Sequence, residues 1–157
     1  MSAAPRRRLL VVWSSQTGRT ARLVEAACEG AAAFADEVEV IVRPALAAGV
    51  DDLLAADGLI VATPENFGYL SGAVKDFLDR TYYPVEGRVD GLPYLMLVSA
   101  GNDGSGAVRA LERIATGCRW KRVAEALIVR GEPDADALAE ARERGALLAA
   151  GIALGTL

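Results

Sequence analysis

The clearest evidence for the fold of this chain lies in residues 9–20, Leu9-Leu10-Val11-Val12-Trp13-Ser14-Ser15-Gln16-Thr17-Gly18-Arg19-Thr20. Its first five residues form a continuous apolar run, which is typical of a strand buried on both faces of a parallel sheet. The next seven residues supply four hydroxyl groups and one glycine at the start of a helical pattern. A strand that passes through a polar turn into a helix begins a βαβ unit, so the stretch predicts an α/β protein.

The same alternation of apolar runs and helical patterns continues along the chain. Four further strands are predicted, at 38–42, 59–62, 94–98 and 126–129. Between them, apolar residues recur at helical spacing, and the last helix is predicted from Asp134 to Ala153. The stretch 45–54 is ambiguous between a loop and one short helix. Five such units fill residues 1–157 as a single domain with a central parallel sheet and right-handed crossovers.

Composition and charge exclude several classes of protein. Apolar residues make up 52% of the chain and charged residues 24%, which excludes wholesale disorder. The 17 basic and 21 acidic residues give a net charge of −4, which argues against a dedicated nucleic-acid binder. The chain has no histidine, so Ser-His-Asp and Cys-His mechanisms and histidine metal sites are excluded, and we expect no metal.

The cysteines and the N-terminus point to an ordinary intracellular protein. Cys28 and Cys118 are far apart and form no CxxC motif, so they predict two buried thiols in a reducing compartment. The apolar run 9–13 after Arg6-Arg7-Arg8 is too short for a signal peptide or a membrane span. We therefore expect a cytoplasmic location and no membrane insertion.

Three unusual loops follow the first, third and fourth strands, and ligands bind beyond the carboxyl ends of such strands. In the first loop, the hydroxyls of residues 14–20 lie at a helix N-terminus, which favours an anion such as phosphate. An ordinary N-cap needs only one hydroxyl. The loop is neither a Walker A motif nor a GxGxxG motif, which weakens the ATPase and dinucleotide-fingerprint hypotheses.

The other two loops suit the remainder of a flat ligand. Residues 63–72 combine Phe67 and Tyr69 with an amide, a carboxylate and two glycines, which suits a heterocycle, although the two rings could simply cover the core. Residues 99–106 hold three glycines, so we expect special backbone angles there. Either loop alone is a weak signal; the three together predict one ligand site.

The residues of these three loops resemble those of a known family. Ser15-x-Thr17-Gly18-x-Thr20 resembles the phosphate loop of flavodoxins. Residues 63–68, followed by residues 71–81, are similar to the flavin-ring loop and helix of flavodoxin-fold FMN reductases and NAD(P)H:quinone reductases. Residues 99–101 match their third loop. The resemblance implies a flavodoxin-like fold, a three-layer, doubly wound, five-stranded parallel sheet of order 2-1-3-4-5, with FMN as cofactor.

The resemblance also implies a role for each matching residue. Those implied to hold the phosphate are Ser15, Gln16, Thr17, Gly18, Arg19 and Thr20, with Arg19 standing where flavodoxins often have Asn. Those implied to form the loop at the isoalloxazine ring are Pro64, Glu65, Asn66, Phe67 and Gly68. Those implied to line the ribityl and pyrimidine side are Ser99, Ala100, Gly101, Asn102, Asp103 and Gly104.

Three functions are compatible with this resemblance. The first is an NAD(P)H-dependent FMN oxidoreductase that reduces a quinone-like small acceptor, with flavin chemistry and no catalytic side chain. The second is a flavodoxin-type electron carrier reduced by a protein partner, which the mixed charges near the site disfavour. The third is a flavin-free assembly or response module, but the acidic residues that a phosphoacceptor receiver needs are missing.

The remaining candidates are two adjacent aromatic residues. Tyr82 and Tyr83 could close over the ring, or they could pack at a helix end or at a subunit contact. Because relatives of this kind often form dimers, the resemblance also implies that a homodimer can form.

Overall fold

Strands and helices alternate along the chain, as the sequence predicts. The computed structural model describes residues 4–157, so residues 1–3 of the predicted domain lie outside it. The strands are β1 (Arg7–Trp13), β2 (Val38–Pro44), β3 (Gly58–Pro64), β4 (Pro93–Ala100), β5 (Lys121–Arg122) and β6 (Leu127–Arg130). The helices are α1 (Arg19–Ala31), α2 (Val50–Ala55), α3 (Gly72–Val85), α4 (Ser105–Gly117) and α5 (Ala135–Leu154). The ambiguous stretch 45–54 thus contains one short helix.

The sheet is parallel and has the order β2-β1-β3-β4-β5, which confirms the predicted flavodoxin-like topology. One detail differs, because two short strands share the fifth position. β5 pairs with the start of β4 and β6 pairs with its end. The sequence pattern identified only the second of these, since Lys121 and Arg122 are exposed and carry no apolar signal.

Side chains of β1 alternate between two cores, which explains why its apolar run is continuous. Leu9 and Val11 face the layer of α1 and α5, whereas Leu10 and Val12 face the layer of α2, α3 and α4. All four are buried. A strand covered by helices on both faces needs apolar residues at every position.

The start of α5 and the buried face of α1 agree with the helical spacing of apolar residues in the sequence. The α5 N-cap is Asp134, whose carboxylate accepts the Ala137 N–H at 2.8 Å, close to the predicted start. In α1 the buried face includes Leu23, Val24, Ala27 and Ala31, which recur at helical spacing.

Both cysteines are free and half-buried, so they are more exposed than predicted. Burial raises the pKa of the Cys28 and Cys118 thiols, which lowers their thiolate fraction and their reactivity. Within residues 4–157, none of the helices combines the length and apolar character that crossing a bilayer demands.

Candidate functional site

The three loops predicted from the sequence meet at one cleft beyond the carboxyl ends of β1, β3 and β4. The residues that line this cleft are Gln16, Thr17, Arg19, Pro64, Glu65, Asn66, Ser99, Ala100 and Gly101. All nine belong to the predicted site. Of the other predicted residues, those that do not line it are Ser15, Gly18, Thr20, Phe67, Gly68, Asn102, Asp103 and Gly104.

The first loop wraps the N-terminus of α1. Gly18 has a φ of +91°, which favours glycine, and lets the chain turn sharply into the helix. Ser15 Oγ accepts the N–H groups of Gly18 and Ala21 at 3.1 and 3.4 Å. Within residues 4–157, the backbone N–H groups of Gln16, Thr17, Arg19 and Thr20 donate to no protein acceptor. These N–H groups, together with the helix dipole of α1, form a site suited to an anion.

Thr20 turns away from this site. Its side chain is 1% exposed, and its hydroxyl hydrogen-bonds to Ser99 Oγ at 2.7 Å. The pair joins the first turn of α1 to the end of β4. Thr20 therefore supports the wall of the cleft, and Thr17 is the threonine of this loop that lines the cleft.

Arg19 reaches across the cleft rim to a residue that sequence reasoning missed. Its Nε donates to Glu132 Oε1 at 3.0 Å, and Arg22 Nη1 lies 3.4 Å from Glu132 Oε2. Glu132 follows β6, so it also lies beyond the carboxyl end of a strand. The signal that could have found it is this position after the fifth strand, in the sequence Gly131-Glu132-Pro133.

The second loop is a tight hairpin turn. Asn66 and Tyr69 exchange both backbone hydrogen bonds at 3.0 Å. The two central residues, Phe67 and Gly68, have φ values of +52° and +73°, which is the pattern of a type I′ turn. The Phe67 ring is fully exposed at the tip. An aromatic ring held in solvent beside a cleft is available to contact a bound planar group.

Glu65 joins the second and third loops. Its carboxylate accepts the N–H groups of Gly104, Gly106 and Ala107 at 3.0, 2.9 and 3.2 Å. It thereby caps α4, whose own N-cap is a glycine without a side chain. The resemblance implies that Glu65 meets the flavin ring, but the structure places its carboxylate on the α4 backbone.

The third loop carries Asp103, which also bonds within the protein. Its carboxylate accepts hydrogen bonds from the backbone N–H of Ser105 at 3.1 Å and from the Ser105 hydroxyl. Arg130 donates to the Asp103 carbonyl oxygen at 3.1 Å. Asn102 and Gly101 are exposed on the same loop. The backbone at Ala100–Gly101 is therefore the part of the loop that faces the cleft.

Tyr82 and Tyr83 do not lie at the cleft. Tyr82 lines a separate cavity of about 340 Å3 with Gly117, Cys118 and Arg119, at the ends of α3 and α4 that are distant from the cleft. Helix α3 starts beside the cleft and places Tyr82 roughly 15 Å away along its axis. The hypothesis that these tyrosines close over the ring is wrong, because α3 runs away from the site.

The sequence of this chain is similar to a known family and to named relatives from two organisms. Residues 20–133 match the family described as NADPH-dependent FMN reductase. A flavodoxin of Aquifex aeolicus (strain VF5) is 33% identical to this chain, over 63% of this chain and 53% of that protein. An NAD(P)H dehydrogenase (quinone) of Acidithiobacillus ferrooxidans is also 33% identical, over 47% of this chain and 46% of that protein. The chain thus spans about half the length of these curated relatives.

A solved structure supports the fold independently. A flavodoxin from the domain Archaea superposes with a TM-score of 0.81 at 20% identity, covering 92% of this chain and 98% of that one. At this identity the match shows the fold alone.

Proposed function

Because the chain belongs to the NADPH-dependent FMN reductase family, we propose that it is an FMN-binding oxidoreductase, which takes electrons from NAD(P)H and delivers them to a quinone or another small acceptor. The observation that carries this proposal is the convergence of three loops, after β1, β3 and β4, on one cleft. The quinone dehydrogenase of Acidithiobacillus ferrooxidans supports the choice of acceptor.

The residues present fit the phosphate end of FMN. The N–H groups at Gln16, Thr17 and Arg19 point to an anion site at the start of α1, and the Thr17 hydroxyl can donate to a phosphate oxygen. Arg19 adds a positive charge at the same rim, although its guanidinium forms an ion pair with the Glu132 carboxylate. These groups would hold the phosphate without any lysine or metal.

The other two loops would hold the ring end as two walls. Pro64–Asn66 form one wall and Ser99–Gly101 the other, and the Glu65 N–H donates to the Ser99 carbonyl oxygen at 2.8 Å. The Glu65 carboxylate ties the first wall to α4, so the distance between the walls is set before any ligand binds. When bound, FMN supplies the redox chemistry, and these residues supply binding and orientation.

The charges at the rim favour an enzyme over a flavodoxin-type carrier, the alternative that the Aquifex aeolicus relative supports. A carrier that docks a basic partner needs free carboxylates around its cofactor. In the described part of the chain, the loops that follow β1, β3, β4 and β6 hold four carboxylates, namely those of Glu65, Asp103, Glu132 and Asp134. Each already bonds to arginine side chains or to backbone N–H groups. This leaves no free acidic collar for a partner protein.

The test is an anaerobic absorbance titration. The purified protein is loaded with FMN, free flavin is removed, and NADH and NADPH are added separately. We expect rapid bleaching of the bound flavin, followed by reoxidation when a quinone is added. Retained flavin that stays oxidised with both nucleotides would establish the carrier instead.

A matched pair of variants assigns the phosphate site. Thr17→Val removes a hydroxyl that lines the cleft, and we expect it to weaken FMN binding about tenfold. Thr116→Val is the control, because Thr116 is exposed on α4 and its hydroxyl bonds only to the Glu112 carbonyl oxygen. Equal FMN affinity in the two variants would remove Thr17 from the site, and a wild-type protein that holds no FMN would overturn the proposed function.

A further inference from the structure

Two arginines lie close together on the solvent face of α4. Arg109 and Arg113 are both exposed, and they lie one helical turn apart. For the chain from residue 4 onward, no carboxylate oxygen lies within 4.0 Å of either guanidinium. Arg109 Nη1 donates to Ser105 Oγ at 3.1 Å. Without a carboxylate beside them, the two guanidinium groups form an uncompensated positive site, and like charges at this spacing repel each other.

The pair lies beside the tip of the second loop. Gly106, Arg109 and Arg113 are spaced i, i+3 and i+7, so they share one face of α4. A Cβ at Gly106 would overlap the Gly68 carbonyl oxygen, which shows that the Phe67–Gly68 tip packs on this face. Arg109 and Arg113 follow Gly106 by about 4.5 and 10.5 Å along the helix axis. The positive site therefore begins beside the tip of the second loop, which carries the exposed Phe67 ring, and runs along α4 away from the edge of the cleft.

Other arginines at the rim are already engaged. Arg19 and Arg22 share the Glu132 carboxylate, and Arg130 bonds to Asp103. Of the nearby acids on α4 itself, Glu112 pairs with Arg122 at 2.7 Å. The Arg109–Arg113 pair is thus the cationic group beside this loop that is open to an added anion. Two guanidinium groups bind a phosphate monoester through charge-assisted, forked hydrogen bonds.

We propose that Arg109 and Arg113 bind the 2′-phosphate of NADPH when its nicotinamide enters the cleft beside Asn66 and Gly101. This proposal rests on the proposed function, since it takes a pyridine nucleotide as the electron donor. NADH has no 2′-phosphate and lacks this contact, so NADPH is the preferred donor. Because the pair lies outside the cleft, it acts on the binding of the donor and not on the reduction step itself.

The test compares two variants of the FMN-loaded protein. Arg109→Gln/Arg113→Gln removes the pair, and Arg88→Gln is the matched control. Arg88 is also exposed, but it lies in the turn between α3 and β4, at the end of the sheet away from the cleft. Flavin reduction is followed in a stopped-flow spectrometer at varied NADPH and NADH. Binding of 2′,5′-ADP and of 5′-ADP is measured by calorimetry.

We expect the double variant to need about tenfold or more NADPH for half-maximal reduction, with the limiting rate unchanged. Its response to NADH stays as in the wild type, and its affinity for 2′,5′-ADP falls by a similar factor. The Arg88→Gln control matches the wild type. Higher ionic strength weakens NADPH more than NADH in the wild type, because the site is exposed.

Two results would overturn the proposal. Equal losses for NADPH and NADH would place the contact at the shared pyrophosphate, and no loss for either would leave the pair without a ligand role. If neither nucleotide reduces the wild-type flavin, the proposed function fails. The calorimetry still decides the arginine pair in that case, because equal binding of 2′,5′-ADP by the wild type and the double variant contradicts it without any electron transfer.

Discussion

At the scale of single residues, the most unusual backbone position is Phe67. Its φ of +52° lies in the left-handed region, which costs a residue with a Cβ about 1 to 2 kcal/mol. Its ring is also fully exposed, so hydrophobic burial does not offset this cost. A turn of this type is more stable with Asn at the position before Gly68. Strain of this kind is often found at functional sites, which agrees with its place beside the cleft.

The variant Phe67→Asn tests this conflict between stability and binding. We expect the free energy of unfolding of the FMN-free protein to rise by about 1 kcal/mol, which corresponds to about 2 to 4 °C in Tm. We also expect weaker binding of the flavin or the donor. Tyr69→Asn is the control, since it removes a nearby exposed ring from a position that has no positive φ. A Tm that does not rise above this control would show that Phe67 is not strained.

At the scale of elements, two kinds of contact set how the layers meet. Glu65 ties the loop after β3 to the N-terminus of α4, as described above. On the other side of the sheet, α1 and α5 approach so closely that Gly145 packs against the backbone of Ala27. A Cβ at Gly145 would overlap the Ala27 carbonyl oxygen. Because this oxygen belongs to the backbone of α1, the overlap is relieved only if α1 and α5 move apart.

Gly145→Ala measures how tightly these two helices pack. We expect it to lower the free energy of unfolding by about 1 to 3 kcal/mol, because it overpacks a backbone contact. Gly117→Ala is the matched control, since a Cβ there meets nothing within 4 Å in α4. Alanine favours a helix over glycine, so this control is neutral or stabilising by up to about 1 kcal/mol. Urea denaturation of both variants gives the comparison, and equal stabilities would contradict the close packing.

At the scale of the whole molecule, the cleft joins three segments that are far apart in the chain. The loops after β1, β3 and β4 contribute to it from positions 16–19, 64–66 and 99–101. A ligand that contacts all three segments binds the folded protein and not the unfolded chain. Its binding free energy therefore adds directly to stability.

FMN should raise the stability of the protein more than riboflavin does. At a free concentration 100 times its Kd, FMN adds about 2.7 kcal/mol to the free energy of unfolding. Riboflavin lacks the phosphate and leaves the N–H groups at the start of α1 without an acceptor, so we expect a clearly smaller rise in Tm at equal concentration. Thermal unfolding with each ligand is the measurement. Equal shifts would show that the loop after β1 is not the phosphate site.

Local sequence patterns predicted the elements of the fold and the position of the cleft. The order of strands and helices, the parallel sheet and the position of the three loops follow from short apolar runs, helical spacing and glycine clusters, all of which act within a few residues. Nine of the predicted site residues line the cleft for the same reason, since each lies at or shortly after the carboxyl end of a strand. The strand order came from the resemblance to flavodoxins. The roles of single residues were harder to predict, because the location of a side chain such as that of Tyr82 depends on the direction in which its helix runs.

The strand–helix units and the polar loops after the strands can be predicted from the amino-acid sequence alone, because apolar periodicity and backbone propensity act over a few neighbouring residues. Three contacts at the cleft depend on the folded arrangement instead: Glu65 caps α4, Thr20 bonds to Ser99, and Arg19 pairs with Glu132. These partners lie 39 to 113 positions apart along the chain. Such pairs form only where the sheet brings loop ends within hydrogen-bond distance, and no spacing rule along the chain encodes that approach.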